Sequence, residues 1–123
     1  VSMTSTEFQD RISYHDFEGL SLYEDERSRL LSSLGNNKAM ILRNHGLLVV
    51  GRTIPETFLR LYQLERACQI QIDAAAAGTL NILSPATARK SGDDMAQYSE
   101  NEDGEGTGVL EFSALKRKLN RIM

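Results

Sequence analysis

Two histidines are the side chains in this sequence best suited to metal binding or proton transfer. His45 sits between two short apolar runs in ILRNHGLLVVG (residues 41–51), and His15 lies in YHDFEGL (residues 14–20). Neither has a second histidine two to four residues away, so neither segment carries a local pair that could chelate a metal. His45 is therefore either one ligand of a site completed from elsewhere or a structural turn residue, and spacing alone favours the turn residue.

The other polar candidates have simpler structural interpretations. Asp16 and Glu18 could form an acid–base pair with His15, but a turn that carries polar residues is favoured. Cys68 falls on an apolar helical stripe and is predicted to pack in the core, without a basic neighbour to activate its thiol. The acidic run over residues 93–105 lacks the ordered ligand spacing of a calcium loop, so a solvated linker is predicted there.

The segment around His15 is predicted to run from a strand into a helix. Residues 8–14 show a short alternating pattern, which indicates a strand, and His15 follows in a loop. Ser21 and Glu24 have the spacing of a capping box, so a helix is expected to begin there and to continue to Leu34.

A hairpin is predicted around His45. The runs AMIL (39–42) and LLVV (47–50) are short and wholly apolar, which is typical of strands covered on both faces. Residues 43–46 connect them, and Gly46 is expected to supply the backbone freedom that the turn needs.

A long amphipathic helix over residues 53–77 is the clearest element of the pattern. Thr53 and Glu56 have the form of a capping box at its start, and Gly78 follows its end. Its apolar stripe consists of Phe58, Leu61, Leu64, Cys68, Ile72 and Ala75. Further apolar residues lie off this stripe, which predicts a second buried face at a subunit contact or against a missing layer.

Composition divides the chain into three parts. Residues 1–85 carry the patterned elements, and residues 86–108 form an acidic segment rich in glycine and serine that is predicted to be a loop or partly disordered linker. Residues 109–123 predict an amphipathic helix with cations in its last turns. This helix is expected to dock on its own domain rather than on a membrane or an acidic partner.

Length and charge set the class of protein. A chain of 123 residues with 41% hydrophobic and 25% charged residues fits one globular domain. With 14 basic and 17 acidic residues, its charge of −3 disfavours nucleic-acid binding, and no apolar run is long enough to span a bilayer. A single cysteine fits a reducing, cytoplasmic location. The sequence does not begin with methionine, which favours a piece of a longer protein.

Residues 39–78 carry a resemblance to a known family. RNHGLLVVGRTIPETFLRLYQLERACQIQ resembles the signature of the class II aldolase/adducin family around its third metal histidine and the helix behind it. YHDFEGL upstream is similar to a stretch of bacterial class II aldolase-like proteins, and the resemblance extends over about residues 1–85.

The resemblance implies a metal site. His45 would be the third imidazole ligand of a divalent metal, usually zinc. Arg43 and Asn44 would support that ligand or the turn, and Gly46 would let the backbone pass close to the site. His15 matches no ligand of the family and is expected to be a loop residue.

Several family features are missing from this chain. It contains no H-x-H pair, which supplies the other two imidazoles, and the catalytic glutamate and phosphate loop of the family also come earlier. The resemblance therefore implies the C-terminal half of a three-layer α/β/α domain with a mainly antiparallel sheet. The remaining ligands would come from the missing N-terminal half or from a second chain.

The activity implied is that of a metal-dependent carbon–carbon lyase. Family enzymes use the metal as a Lewis acid to stabilise an enediolate formed from a small hydroxy-carbonyl, sugar-phosphate or hydroxy-acid substrate, and they usually assemble as tetramers. Adducin heads share the fold and the RNHG run but lack the H-x-H pair and serve as scaffolds. A non-catalytic scaffold or an inactive paralogue is therefore the alternative.

Overall fold

The computed structural model describes residues 1–20, 24–100 and 106–123, with only the backbone for Glu100. These residues form five helices and three strands. The helices are α1 (Met3–Thr6), α2 (Glu24–Leu34), α3 (Ile54–Ala77), α4 (Pro85–Glu100) and α5 (Val109–Ile122). The strands are β1 (Ile12–His15), β2 (Ala39–Leu42) and β3 (Gly46–Val49).

The sheet is mixed, with the order β1-β2-β3. β1 and β2 are parallel, with Ile12 opposite Ala39, whereas β2 and β3 form an antiparallel hairpin with Ala39 opposite Val49. The prediction of the hairpin is confirmed, and the prediction of a mainly antiparallel sheet is wrong. The reason is topological, because α2 connects β1 to β2 and a helical crossover lets two strands run in the same direction.

The start of the chain differs from the predicted strand over residues 8–14. β1 begins only at Ile12, and Phe8 lies in the preceding turn with 7% of its surface exposed. Phe8 instead joins Ala39 and Leu64 in the buried core, so its apolar character reflects core packing rather than a strand. The predicted cap at Ser21 lies outside the described residues, and the helix is described from Glu24 to Leu34.

Helix α3 confirms the long helix of the sequence pattern, but it buries only part of the predicted stripe. Leu64 is buried and Cys68 packs against the core. Burial raises the pKa of the Cys68 thiol, and the nearby charge of Glu65 raises it further. In contrast, Phe58, Leu61 and Ile72 remain exposed. A substantial part of the apolar surface of α3 therefore faces outward in this chain.

The acidic segment is helical where the structure describes it. α4 covers Pro85–Glu100, so the prediction of a loop or linker is wrong over residues 86–100, while residues 101–105 lie outside the described residues. α4 packs on α1 through small polar groups, because Thr6 Oγ1 lies 2.8 Å from Ser91 Oγ. A Cβ at Gly92 would lie 2.3 Å from the carbonyl oxygen of Thr6, so this close approach requires glycine.

Helix α5 docks on α3, as its sequence predicts. The rings of Phe58 and Phe112 make an edge-to-face contact with centroids 5.2 Å apart. Gly108 precedes α5 with φ +83°, where a Cβ would lie 2.6 Å from the carbonyl oxygen of Pro55. In the described part of the chain, no helix is both long and apolar enough to cross a bilayer.

Candidate functional site

A small cavity opens where β1 and β2 end. Because parallel strands end at the same edge of a sheet, His15 at the end of β1 lies opposite Leu42 at the end of β2. The cavity has a volume of about 20 Å³, enough for a water molecule or an ion. Its walls are formed by His15, Asp16, Phe17, Glu18, Gly19, Glu26, Leu30, Leu42, Arg43 and His45. The two histidines of the chain therefore border one cavity.

His15 is a buried strand residue, and the prediction of a loop position is wrong. It is the last residue of β1 with 8% of its surface exposed. Its carbonyl oxygen accepts a hydrogen bond of 3.0 Å from the backbone N–H of Arg43, which ties the ends of the two strands together. Its Nδ1 lies 2.9 Å from Ser33 Oγ on α2. Pairing with β2 and packing by α2 therefore bury a residue that looked like part of a turn.

The second ring nitrogen of His15 faces carboxylates. Within the described residues, Nε2 is buried without a hydrogen-bond partner, and Glu18 Oε2 lies 3.7 Å from it. Glu26, in the first turn of α2, is also buried. Ligand atoms of His15, Glu18 and Glu26 all lie within 4.8 Å of one another, and the described residues hold no other such group of three or more.

Glu18 is held in place by an arginine. Both of its carboxylate oxygens accept from Arg29 Nε at 2.9 Å, and a second nitrogen of Arg29 donates to Asp25 at 3.0 Å. The hydrogen bond from Arg29 lowers the pKa of Glu18, despite partial desolvation, and the Coulomb interactions with Arg29 and His15 add to this effect. Glu18 is therefore ionised and oriented at neutral pH.

His45 lies in the β2–β3 turn with its side chain exposed. Its backbone N–H donates to the carbonyl oxygen of Leu42 at 3.0 Å. Arg43 pairs with Asp16, and its guanidinium carbon lies 5.3 Å from the centre of the Tyr14 ring. The expectation that Gly46 supplies the unusual backbone conformation is wrong, because Asn44 is the turn residue with a positive φ, of +57°. Asparagine tolerates this conformation better than most side chains.

The sequence contained only part of the signal for this cluster. His15 and Glu18 are neighbours in the sequence, and their acid–base pairing was the less favoured interpretation. Glu26 and Ser33 approach His15 only because α2 packs on β1. Local sequence spacing does not indicate contacts between distant elements, so these two residues were missed.

A family model described as "Class II Aldolase and Adducin N-terminal domain" matches residues 2–72. A "putative aldolase class 2 protein" of Pseudomonas aeruginosa is 40% identical over 111 residues, covering 89% of this chain and 42% of that protein. Alpha-adducin of Rattus norvegicus is 35% identical over 120 residues, covering 90% of this chain and 16% of that protein. The chain thus spans less than half the length of these relatives.

Solved structures agree with the sequence comparison. An aldolase II superfamily protein from Pseudomonas syringae superposes with a TM-score of 0.84 at 37% identity, over 98% of this chain and 47% of that one. L-fuculose 1-phosphate aldolase from Glaciozyma antarctica superposes with a TM-score of 0.63 at 29% identity, over 76% of this chain and 34% of that one.

Proposed function

Because the chain belongs to the class II aldolase and adducin family, we propose that the full-length protein is a divalent-metal-dependent lyase. Its substrate would be a small hydroxy-carbonyl compound, sugar phosphate or hydroxy acid. The observation that carries this proposal is the position of His45, an exposed imidazole on a fixed turn at the rim of a cavity. Similarity to a protein described as L-fuculose 1-phosphate aldolase supports the reaction class.

His45 would be one ligand of the metal. Its donor chemistry suits zinc, and its exposed side chain leaves room for ligands from another part of the protein. A catalytic zinc site needs three protein ligands, so the others would lie outside this chain. The bound metal would polarise a substrate carbonyl as a Lewis acid.

Residues of this chain would position His45 rather than touch the substrate. Asn44 takes the left-handed conformation that turns the chain, and the backbone of Arg43 is fixed by the carbonyl of His15. The side chain of Arg43 is held by Asp16 and lies against Tyr14. These contacts keep the imidazole at the end of the sheet, where a small misplacement would weaken a metal site.

The outward apolar surface of α3 supports contact with more protein. Phe58 and Leu61 are 40% and 41% exposed, and Ile72 is 64% exposed. Exposed apolar surface of this kind marks interaction sites. We assign it to the missing N-terminal half of the domain or to a neighbouring subunit of a homotetramer.

A non-catalytic scaffold is the second candidate. The identity of 35% to alpha-adducin over 90% of this chain favours it, because the same residues match adducins and bacterial aldolase-like proteins. The two candidates differ in whether the full-length protein completes a metal site around His45.

The deciding experiment is elemental analysis of the full-length protein together with a carbon–carbon cleavage assay. We expect His45→Ala to hold one divalent metal ion fewer per subunit than the wild type. We also expect the wild type to cleave L-fuculose 1-phosphate or a related hydroxy-carbonyl compound. Lys38→Ala is the matched control, since Lys38 is exposed and lies immediately before β2, at the opposite end from His45. A metal content unchanged by His45→Ala would contradict the proposal and favour the scaffold.

A further inference from the structure

We propose that His15, Glu18 and Glu26 bind a divalent cation of the zinc type, separate from the metal assigned to His45. The first support is geometric. Their ligand atoms lie within 4.8 Å of one another, and His15 Nε2 lies 3.7 Å from Glu18 Oε2. Ligands of a tetrahedral zinc ion are about 3.3 Å apart, as follows from bonds of about 2.0 Å. Small side-chain rotations would therefore close the three groups around an ion.

The second support is the buried imidazole. The side chain of His15 is 9% exposed, and its Nε2 has no hydrogen-bond partner among the described residues. A buried polar atom without a partner is unfavourable, so a ligand bound to this nitrogen would stabilise the protein. Nδ1 lies 2.9 Å from Ser33 Oγ, and a proton on Nδ1 would leave the Nε2 lone pair directed towards the carboxylates. In histidines that bind metals, the ring nitrogen that does not touch the metal commonly donates a hydrogen bond that orients the ring.

The third support is the chemistry of the ligands. Glu18 and Glu26 bring two carboxyl groups to the cavity beside the imidazole of His15, and all three can bind a divalent cation. Arg29 fixes the orientation of Glu18 through both carboxylate oxygens, as outer groups commonly do for carboxylate ligands. One imidazole with two carboxylates suits zinc and its neighbours in the first row, whereas magnesium and calcium prefer oxygen ligands alone.

The position of the site suggests its role. Its ligands come from the end of β1, the loop that follows it and the first turn of α2. A cation here would tie these three segments together beside the cavity that His45 also borders. The role is therefore structural support of the cavity wall, which goes beyond the proposed lyase chemistry.

The test is zinc stoichiometry of the full-length protein in the His45→Ala background, which removes the other assigned ligand. We expect His45→Ala to retain one zinc ion per subunit and His45→Ala/Glu18→Gln to lose it. Asp25→Asn is the matched control in the same background, because Asp25 also accepts from Arg29 but lies outside the cluster. This control should retain the ion.

A second measurement guards against a folding defect in the double variant. Ser33→Ala, with Ser32→Ala as its control, should weaken zinc affinity in chelator competition by at least about tenfold, the lower end of effects seen for such supporting groups. Equal zinc content in His45→Ala with and without Glu18→Gln would overturn the inference, and so would loss of all zinc from His45→Ala. If His45→Ala holds as much zinc as the wild type and Glu18→Gln holds less, the result would support this site and contradict the assignment of His45.

Discussion

Helices α2 and α3 each carry a buried glutamate as their third residue, and the two carboxylates have different surroundings. Glu26 of α2 is 8% exposed and Glu56 of α3 is 5% exposed. Glu56 accepts from Arg60 at 2.9 Å and from Arg52 at 3.2 Å. Glu26 lies beside a second carboxylate, that of Glu18, and the imidazole of His15.

This difference separates a structural carboxylate from a candidate ligand. A helix N-terminus favours a negative charge in its first turn, so both positions suit glutamate. Two arginines then satisfy Glu56 within the fold. The cluster around Glu26 brings two carboxyl groups and an imidazole close enough together to be ligands of one cation. The same residue type at the same helical position can thus serve stability in one place and binding in another.

The largest effect is expected from Glu56→Gln. Burial raises the pKa of Glu56, but hydrogen bonds from Arg60 and Arg52 outweigh it and lower the pKa from 4.5 to about 2. The ionised carboxylate therefore contributes about 3 kcal/mol to folding at neutral pH. Urea unfolding of the full-length protein should show a loss of that size in Glu56→Gln, whereas Glu65→Gln, at an exposed position of the same helix, should change little.

The pH dependence of this difference follows from the direction of the shift. A depressed pKa means that the stabilisation is complete above about pH 4.5 and is lost as the pH falls towards 2. The difference in free energy of unfolding between wild type and Glu56→Gln should therefore decrease over that interval. A difference that stays constant from pH 7 to pH 3 would show that Glu56 does not act through its charge.

Zinc should stabilise the wild-type protein by binding to His15, Glu18 and Glu26. At a free concentration of 100 times Kd, binding to the folded state alone adds about 2.7 kcal/mol to the free energy of unfolding. In the His45→Ala background this gain should persist, and adding Glu18→Gln should abolish it while Asp25→Asn leaves it intact. Thermal unfolding with and without zinc measures the gain. A gain that survives Glu18→Gln would place the cation elsewhere.

A smaller effect is expected from Ser33→Ala without added metal. The hydroxyl lies 2.9 Å from Nδ1 of the buried His15, and loss of one such hydrogen bond removes about 1 kcal/mol of stability. Ser32 is exposed next to it, so Ser32→Ala is a matched control for the loss of a hydroxyl on α2. Chemical unfolding of the two variants provides the measurement, and equal stabilities would show that Ser33 does not hold the ring.

The elements with clear local signals in the sequence were predicted correctly. The hairpin and α3 were predicted because apolar runs and the cap at Thr53 are local signals, and Thr53 Oγ1 does accept from the N–H of Glu56 at 3.2 Å. In a full capping box the side chain of Glu56 would also accept from the backbone N–H of Thr53. It accepts instead from the backbone N–H of Arg52, one residue earlier.

Contacts between distant elements were not predictable from local patterns. α4 was missed because it packs on α1 through Ser91 and Gly92, small residues that give no apolar stripe. The burial of His15 was missed because it depends on α2 and on the parallel pairing of β1 with β2. The position of His45 in a turn was predictable, because the two apolar runs on either side of it are local signals.

The smallest effect on stability is expected at His45. Its side chain is exposed, and substitutions at such positions usually change stability by less than about 0.5 kcal/mol. His45→Ala should therefore unfold in urea almost as wild type does when both proteins are free of metal. With zinc added, the wild type should gain more stability than His45→Ala, because only the wild type can also bind a metal at His45. A large loss in the metal-free state would mean that the imidazole is buried against the rest of the full-length protein, and His45 would then be a structural residue like His15.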